Sequence, residues 1–541
     1  MTSEVTSMMM TGGEAIVRTL LVNGVTRLFG LPGVQNDWLF NALYDHRDQI
    51  DVLHTRHEQG TAYMALGAAL ATGDLAVCSV VPGPGTLNAG AALATAYALN
   101  APVLFLTGQI PLPLIGRNTG ALHEINDQLG LLRNLSKLAL RIEHPGAVEA
   151  GLNSAIDTIR TGRPRPVAVE IPMDVLAERA PVAEIRATSR NITSPALDME
   201  QLGRIAEALS SAQAPMIFVG SGAQGVAPQI RTLAEQLGAP VVAYRTGRGI
   251  MDSRSPQSFV MPAARPLWAQ CDVALALGTT MRVPLQNWER RPDQRLLRID
   301  VDPASHSLLR KPTLGLTARL EDALPALIKQ MASTAMKAQW QRSQLSQAQE
   351  DWRTRTAVLA PQIRYLDAIR AAMGENGIFV DELTQVGFAS RLVLPVYNPR
   401  TFISTGYMGT LGYGFPTALG VKVARPEVPV VSVTGDGGFM FAVGELATAV
   451  QHKIPLAIVL FNNGQYGNVQ QMQRHQYGGR VIATDLVNPD FVALAKAFGA
   501  RGCRVTEPKE LHAQLQDAFA AAGPTLIEVP VGDMPSVDQF R

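Results

Sequence analysis

The chain has 541 residues, 47% hydrophobic and 17% charged, with 47 Lys and Arg against 46 Asp and Glu. Such a length exceeds what one compact core serves and points to roughly three domains. The even charge balance provides no basic field for a phosphate backbone, so nucleic acid is not an expected partner.

The stretch Met1 to Gly13 carries Glu4 and no Lys or Arg, and no apolar run suited to a signal peptide or membrane span follows it, so a cytoplasmic location is expected. Cys78, Cys271 and Cys503 lie far apart without CxxC or Cys/His spacing. They are expected to be buried free thiols, with neither a disulfide nor a zinc site.

In chain order, short apolar runs at Thr26–Phe29, Ala76–Val81, Val103–Thr107 and Val167–Ile171 alternate with helical patterns, the rhythm of a parallel sheet covered by helices. The polar stretch Ala177–Pro195 lacks strand or helix periodicity and reads as a linker. A second set of buried strands is expected at Pro215–Gly220, Pro240–Tyr244, Val273–Gly278 and Leu296–Asp302. Leu324 to Leu359, rich in Ala, Gln, Lys, Arg and Glu, suits one or two exposed helices, with Pro361 marking the end of a second connector. A third set follows at Val428–Thr434, Pro455–Phe461 and Pro524–Val529. The fold class expected is α/β, in three units at 1–180, 196–330 and 361–541, each a mostly parallel sheet flanked by helices.

The run Val430-Val-Ser-Val-Thr-Gly-Asp-Gly-Gly438 is a buried strand ending in a glycine-rich turn whose charged group is Asp436. Met440–His452 has helical spacing, and the next strand ends in Asn462-Asn463-Gly464, so two neighbouring strand ends present Asp436 and Asn463 at the edge where parallel sheets bind ligands. One carboxylate, one amide, a backbone carbonyl and phosphate oxygens make the hard octahedral site that Mg²⁺ accepts, while glycine amides hold the remainder of a diphosphate. Asp-Gly and Asn-Gly are also ordinary turn dipeptides; their pairing at successive strand ends favours the site. Near the start of the chain, Glu58 in His54-Thr-Arg-His-Glu-Gln-Gly60 follows a predicted strand and opens an Ala-rich helix, where an acid also complements the helix dipole.

With these motifs the whole chain resembles the thiamine diphosphate enzymes of the acetolactate synthase, pyruvate oxidase and benzoylformate decarboxylase group, whose signature runs from GDG to a closing NN. The resemblance implies a pyrimidine-binding, a central Rossmann-like and a diphosphate-binding unit. It implies Mg²⁺ ligands at Asp436, Asn463 and the main-chain oxygen of Gln465, a diphosphate lined by Gly437 and Gly438, and contacts from Thr384 and Gln385. It makes Glu58 the catalytic carboxylate at N1′ of the aminopyrimidine, which promotes the imino form that removes the C2 proton; reaction then proceeds through a C2 ylide and an enamine. In Thr405–Gly414, the carbonyl of Gly409 would face the 4′-amino group and Leu411 would be the apolar wedge that bends the cofactor. Because relatives join the pyrimidine-binding unit of one chain to the diphosphate-binding unit of another, a homodimer or homotetramer is implied.

The segment Thr107–Glu124 is most similar to acetolactate synthase, which ligates two 2-oxo acids. His123 stands where the synthases carry Gln and is reminiscent of the proton-handling His of pyruvate decarboxylases, though a lone His can equally be packing. Met472 replaces the acceptor-pocket Trp, suggesting a differently shaped substrate site. Lys137 resembles the Lys after the synthase motif, one residue out of step. Gly220-Ser-Gly-Ala-Gln-Gly225 satisfies GxGxxG, yet no acid closes the strand at Val241–Tyr244, so the match to an NAD site is weak. Leu277–Pro284 departs from the Arg- and Asp-containing pattern of FAD-binding relatives, which weighs against FAD and leaves it an open addition.

The expectation is a thiamine diphosphate- and Mg²⁺-dependent 2-oxo acid decarboxylase and carboligase of acetolactate synthase type. The alternatives are a decarboxylase that releases an aldehyde, a flavin- or NAD-dependent dehydrogenase, and a cofactor-binding regulatory chain without turnover. Retention of Glu58, Asp436 and Asn463 together speaks against the last.

Overall fold

The computed structural model describes residues 7–188, 196–332 and 340–540. Among these, three six-stranded parallel sheets follow one another along the chain, each covered by helices. The first is ordered Asp51–His54, Arg27–Gly30, Ala76–Val80, Val103–Gln109, Val167–Pro172, Leu138–Arg141. The third has the same topology: Phe402–Ile403, Ile378–Val380, Val430–Gly435, Ala457–Asn462, Thr525–Pro530, Arg501–Arg504. In both, the direction of winding reverses between the first and third strands of the sheet in chain order, which opens a crevice at their carboxyl ends. The middle sheet winds outward from Pro215–Val219 and Val273–Leu277, a dinucleotide-type order.

Runs of Val, Ile and Leu account for the central strands, since residues buried on both faces need no alternation. The edge strands Leu138–Arg141, Phe402–Ile403 and Arg501–Arg504 are too short or too polar to announce themselves. The segment expected as a linker is different: Arg179–Ala183 pairs antiparallel with Ser7–Thr11, because alternating Ala180 and Val182 bury one face against the first unit. The end of that stretch, 189–195, lies outside the described residues, as do 1–6, 333–339 and 541. Pro361 is the second residue of the helix Ala360–Met373, in the first turn where its missing N–H costs nothing. Cys503 is only half-buried, unlike Cys78 and Cys271, because its edge strand has no neighbour on one side. No helix among the described residues is long and apolar enough to cross a membrane.

The units share cores. Along the third sheet, Ile378, Val380, Val430, Ile458 and Leu460 face a cluster that includes Phe29, Tyr63 and Phe105 of the first unit. Their neighbours Phe379, Val431, Val459 and Val529 face a cluster that includes Phe218 and Trp268 of the middle unit. Where the first and third units meet, the helices Glu58–Thr72 and Gly414–Ala424 touch backbone to backbone. A Cβ on Gly67 would lie 2.0 Å from the Thr417 carbonyl oxygen, and one on Gly420 would lie 1.9 Å from that of Met64. Gly67→Ala should therefore destabilise the chain by about 1–3 kcal/mol through forced separation of the helices. Gly203→Ala, in a helix where a new Cβ meets nothing, should leave the thermal midpoint unchanged or raised.

Candidate active site

At the crevice of the first sheet, the loops after Arg27–Gly30 and Ala76–Val80 meet so closely that a Cβ on Gly33 would lie 2.5 Å from Val81 Cγ1. Glu58 opens its helix beside them, part-exposed, with His57 as the N-cap whose ring accepts from the Gln59 N–H. The Asn88 amide donates to Glu58 Oε2 at 3.0 Å, and Gly85 leaves room next to Oε1. The turn carrying Glu58 is held from the third unit: the Glu445 carboxylate accepts from the N–H of Arg56 at 3.2 Å and of His57 at 3.0 Å. Gly60 is required there, since its Cβ would fall 2.2 Å from Glu445 Oε1. Burial raises the Glu445 carboxyl above its ordinary range, opposed by donation from Thr448 and these two amides. His123 belongs to the same crevice: its carbonyl would lie 2.3 Å from a Cβ on Gly83, and its ring Nδ1 is 2.9 Å from Gln35 Oε1.

The crevice of the third sheet is lined by the turns after Ile378–Val380 and Val430–Gly435. Asp436 is 2% exposed, and Oδ2 accepts from the Gly464 N–H at 2.9 Å and the Asn488 amide at 2.6 Å. Burial lifts this carboxyl above its usual range, with the Asn488, Gly437 and Gly464 donors pulling the other way. No cation side chain pairs with it among the described residues. Asn462 is engaged, donating to Glu528 Oε1 at 2.8 Å and accepting from Asn488 at 3.0 Å. Asn463 takes no side-chain hydrogen bond among the described residues, which leaves its amide oxygen available. Gln465 is fixed by its neighbours, with the Tyr466 N–H on the Thr484 carbonyl at 2.8 Å and the Leu486 N–H on that of Gly464 at 2.8 Å; its own carbonyl is not used. A buried carboxylate without a countercharge, an unengaged amide oxygen and an unengaged carbonyl fit a hard divalent cation. No group of three or more His, Cys, Asp or Glu suited to a metal occurs among the described residues.

Gly437 and Gly438 cannot carry a side chain: a Cβ would lie 2.6 Å from the Tyr466 ring in one and 2.3 Å from Glu382 Oε1 in the other. Thr384 is buried at the start of helix Gln385–Val393, its Cβ 3.5 Å from where a Cβ on Gly435 would be. The Gln385 side chain is committed to the C-terminal segment, accepting from the Met534 N–H at 2.6 Å and donating to the Gly532 carbonyl at 3.3 Å. Gly409 is exposed at φ +60°, a conformation glycine adopts freely, and Leu411 stands part-exposed two residues on.

Beneath this segment lies Glu382, fully buried, accepting from the Gly412 N–H at 2.6 Å and the Thr434 hydroxyl at 2.6 Å. Burial pushes its carboxyl up to about 7, against the pull of those two donors. The native state thus keeps a proton that the unfolded chain releases above its ordinary value near 4.5, and stability falls as pH rises from there to about 7. Glu382→Gln should remove about 3 kcal/mol of that dependence, seen as a flatter plot of melting midpoint between pH 5 and pH 7.5.

The remaining sequence candidates divide. The Lys137 ammonium donates to the carbonyls of Thr158, Thr161 and Arg163 and so caps helix Val148–Arg160. Gly220 and Gly222 are needed by the chain itself, since a Cβ on either would lie within 3.0 Å of Gly278. A cleft of about 1940 Å³ opens beside this contact and extends to Tyr407 and Gly409, with Arg163, Arg245 and Arg319 among its walls. Met472 is 40% exposed on helix Gly467–Gln476. Gln35, Asn88, Asn488, Glu382 and Glu445 were not singled out from sequence. A lone acid in a predicted helix after the GDGG turn was a signal for Glu445, and an acid at a strand end for Glu382; nothing local marked the other three.

Three family models match in succession: the N-terminal thiamine pyrophosphate-binding domain at residues 10–131, the central domain at 202–327 and the C-terminal thiamine pyrophosphate-binding domain at 383–529. The isozyme 2 large subunit of acetolactate synthase from Escherichia coli is 32% identical over 98% of this chain and 97% of its own. A protein of Pseudomonas aeruginosa named as a probable 2-ketoarginine decarboxylase is also 32% identical, over 96% of this chain and 94% of its own. A probable acetolactate synthase large subunit of Methanocaldococcus jannaschii is 31% identical over 96% of this chain and 92% of its own.

Proposed function

The chain belongs to the thiamine pyrophosphate enzyme family that includes acetolactate synthase large subunits, and from that premise we propose that it is a Mg²⁺-dependent 2-oxo acid decarboxylase and carboligase. The observation that carries this reading is the pair of complementary crevices, Glu58 in the first sheet and the Asp436, Asn463 and Gln465 oxygens in the third. When bound, thiamine diphosphate supplies a thiazolium that stabilises the carbanion left by departing CO₂.

The residues of the chain do the rest. Asp436, Asn463 and the Gln465 carbonyl would hold Mg²⁺, and the side-chain-free turn at Gly437 and Gly438 would line the diphosphate. Thr384, whose N–H is taken by the Glu382 carbonyl, would add its hydroxyl to the same diphosphate, and Gln385 its backbone. The Gly409 carbonyl would accept from the 4′-amino group, and Leu411 would be the apolar wedge against the cofactor. Glu58 holds a proton at N1′, while the Asn88 amide and the Glu445-anchored turn keep its carboxylate aimed.

In this reading the Glu58 crevice of one chain faces the Asp436 crevice of another, in a homodimer or homotetramer. Its support is the apolar surface just after the Asp436 turn, where Phe441 is 55% and Met440 40% exposed.

A second reading, release of an aldehyde without ligation, is favoured by His123 in the Glu58 crevice and by the likeness to the decarboxylase. CO₂ release from a panel of 2-oxo acids, with and without thiamine diphosphate and Mg²⁺, tests both. Cofactor-dependent release with hydroxyketone or acetohydroxy acid products supports the ligase, aldehyde supports the second reading, and no release from any 2-oxo acid refutes both.

A further inference from the structure

We propose that Gln35 is a positioning residue that sets which ring nitrogen of His123 is offered to the reacting molecule; this rests on the proposed decarboxylase chemistry of the Glu58 crevice. Gln35 lies in the loop after the first strand of its sheet and is 2% exposed. Its Nε2 donates to the Leu122 carbonyl at 3.0 Å, which orients the amide and turns Oε1 to His123 Nδ1 at 2.9 Å. An amide oxygen only accepts, so Nδ1 carries the proton. In the neutral ring Nε2 is then the lone pair, and it has no partner among the described residues. The hold is costly enough to be meaningful: His123 sits at φ +67°, where a residue with a Cβ is strained, against a glycine at position 83 whose Cβ would strike its carbonyl.

The surroundings explain why this nitrogen is useful. Gly83 and Gly85 belong to one turn, and that turn also abuts Glu58. Of the other charged groups nearby, Glu170, behind Gln128, pairs with Arg141, while Glu124 accepts from the Gly120 and Ala121 N–H groups through Oε2 and keeps Oε1 buried without a partner. One proton is taken up and returned at Nε2, while the other stays on His123 Nδ1, donated to Gln35 Oε1 in both states, so nothing is consumed. A synthase-like Gln at position 123 has no basic nitrogen to take up and return a proton, which links the tautomer to protonation and release of an aldehyde rather than ligation.

The test uses the holoenzyme with the 2-oxo acid most rapidly decarboxylated. Gln35→Met should lower kcat for aldehyde release at least about 10-fold, with retained thiamine diphosphate and little change in KM. Gln35→Glu keeps an acceptor for Nδ1–H but adds charge, so activity should be regained in part with the acid limb of the pH profile moved upward. Nitrogen-15 NMR of labelled histidine should show the Nδ1–H tautomer of His123 in the parent and a mixture in Gln35→Met. In a His123→Ala background, Gln35→Met should add little. An unchanged tautomer in Gln35→Met, or additive losses in the double variant, would overturn the proposal. If His123→Ala itself keeps full activity, the tautomer result still stands or falls alone, and it is the proton-handling reading that fails.

Discussion

Glu58→Gln is expected to keep thiamine diphosphate bound yet slow exchange of its C2 proton about 10²–10⁴-fold, with CO₂ release falling in step. The amide is the same size, sits at the same helix start and can still pair with Asn88, so geometry is preserved. What disappears is a group able to take and hold a proton at N1′, and the aminopyrimidine then has no means of becoming the base for C2. Acid-quenched NMR of the deuterium content at C2 reads this step directly. Exchange at the parent's rate in Glu58→Gln would remove Glu58 from the proton relay.

Asp436→Ala should act earlier, on retention of the cofactor itself. The carboxylate is the one charged oxygen among the proposed ligands, buried where burial already raises its protonation tendency. Its loss should weaken Mg²⁺ binding by more than the roughly 10–100-fold typical of removing a metal ligand's outer partner. Thiamine diphosphate should then wash out on gel filtration, and added Mg²⁺ should restore little. Retention of one cofactor per chain in Asp436→Ala would place the metal elsewhere. Asn488→Ala provides a graded comparison, since it removes a 2.6 Å donor from the same carboxylate while leaving it in place.

Much of this arrangement was legible in the sequence, for identifiable reasons. Val430–Gly435 and Val273–Leu277 are apolar runs bounded by glycine, and doubly buried parallel strands have that form. Asp436 at a strand end and Glu58 at a helix start depend on neighbours within a few residues, so short-range pattern places them. The partners of those residues were not legible, because tertiary folding alone brings them in. Glu445 reaches the His57 N–H across 388 residues, Gln35 meets His123 across 88, and Asn488 meets Asp436 across 52. Arg179–Ala183 was hidden differently: its strand pattern is real but only five residues long and interrupted by Pro181. The helix expected from Met440 to His452 begins at Glu445, since Asp436–Met440 already forms a turn of its own and the chain must bend between the two.

The third sheet is the layer whose two faces serve different neighbours, one packed toward the first unit and the other toward the middle unit. The first and middle sheets each also have a face that packs within their own unit. Opening either flank bares an apolar face of the third sheet, so loss of structure there propagates. Backbone amides of Val431, Val459 and Ile527 should therefore exchange with solvent only on global unfolding, whereas amides on the outer faces of the other two sheets can exchange through smaller openings. A lesion in a flank loosens a flank; a lesion in the third sheet lowers the barrier for the whole chain.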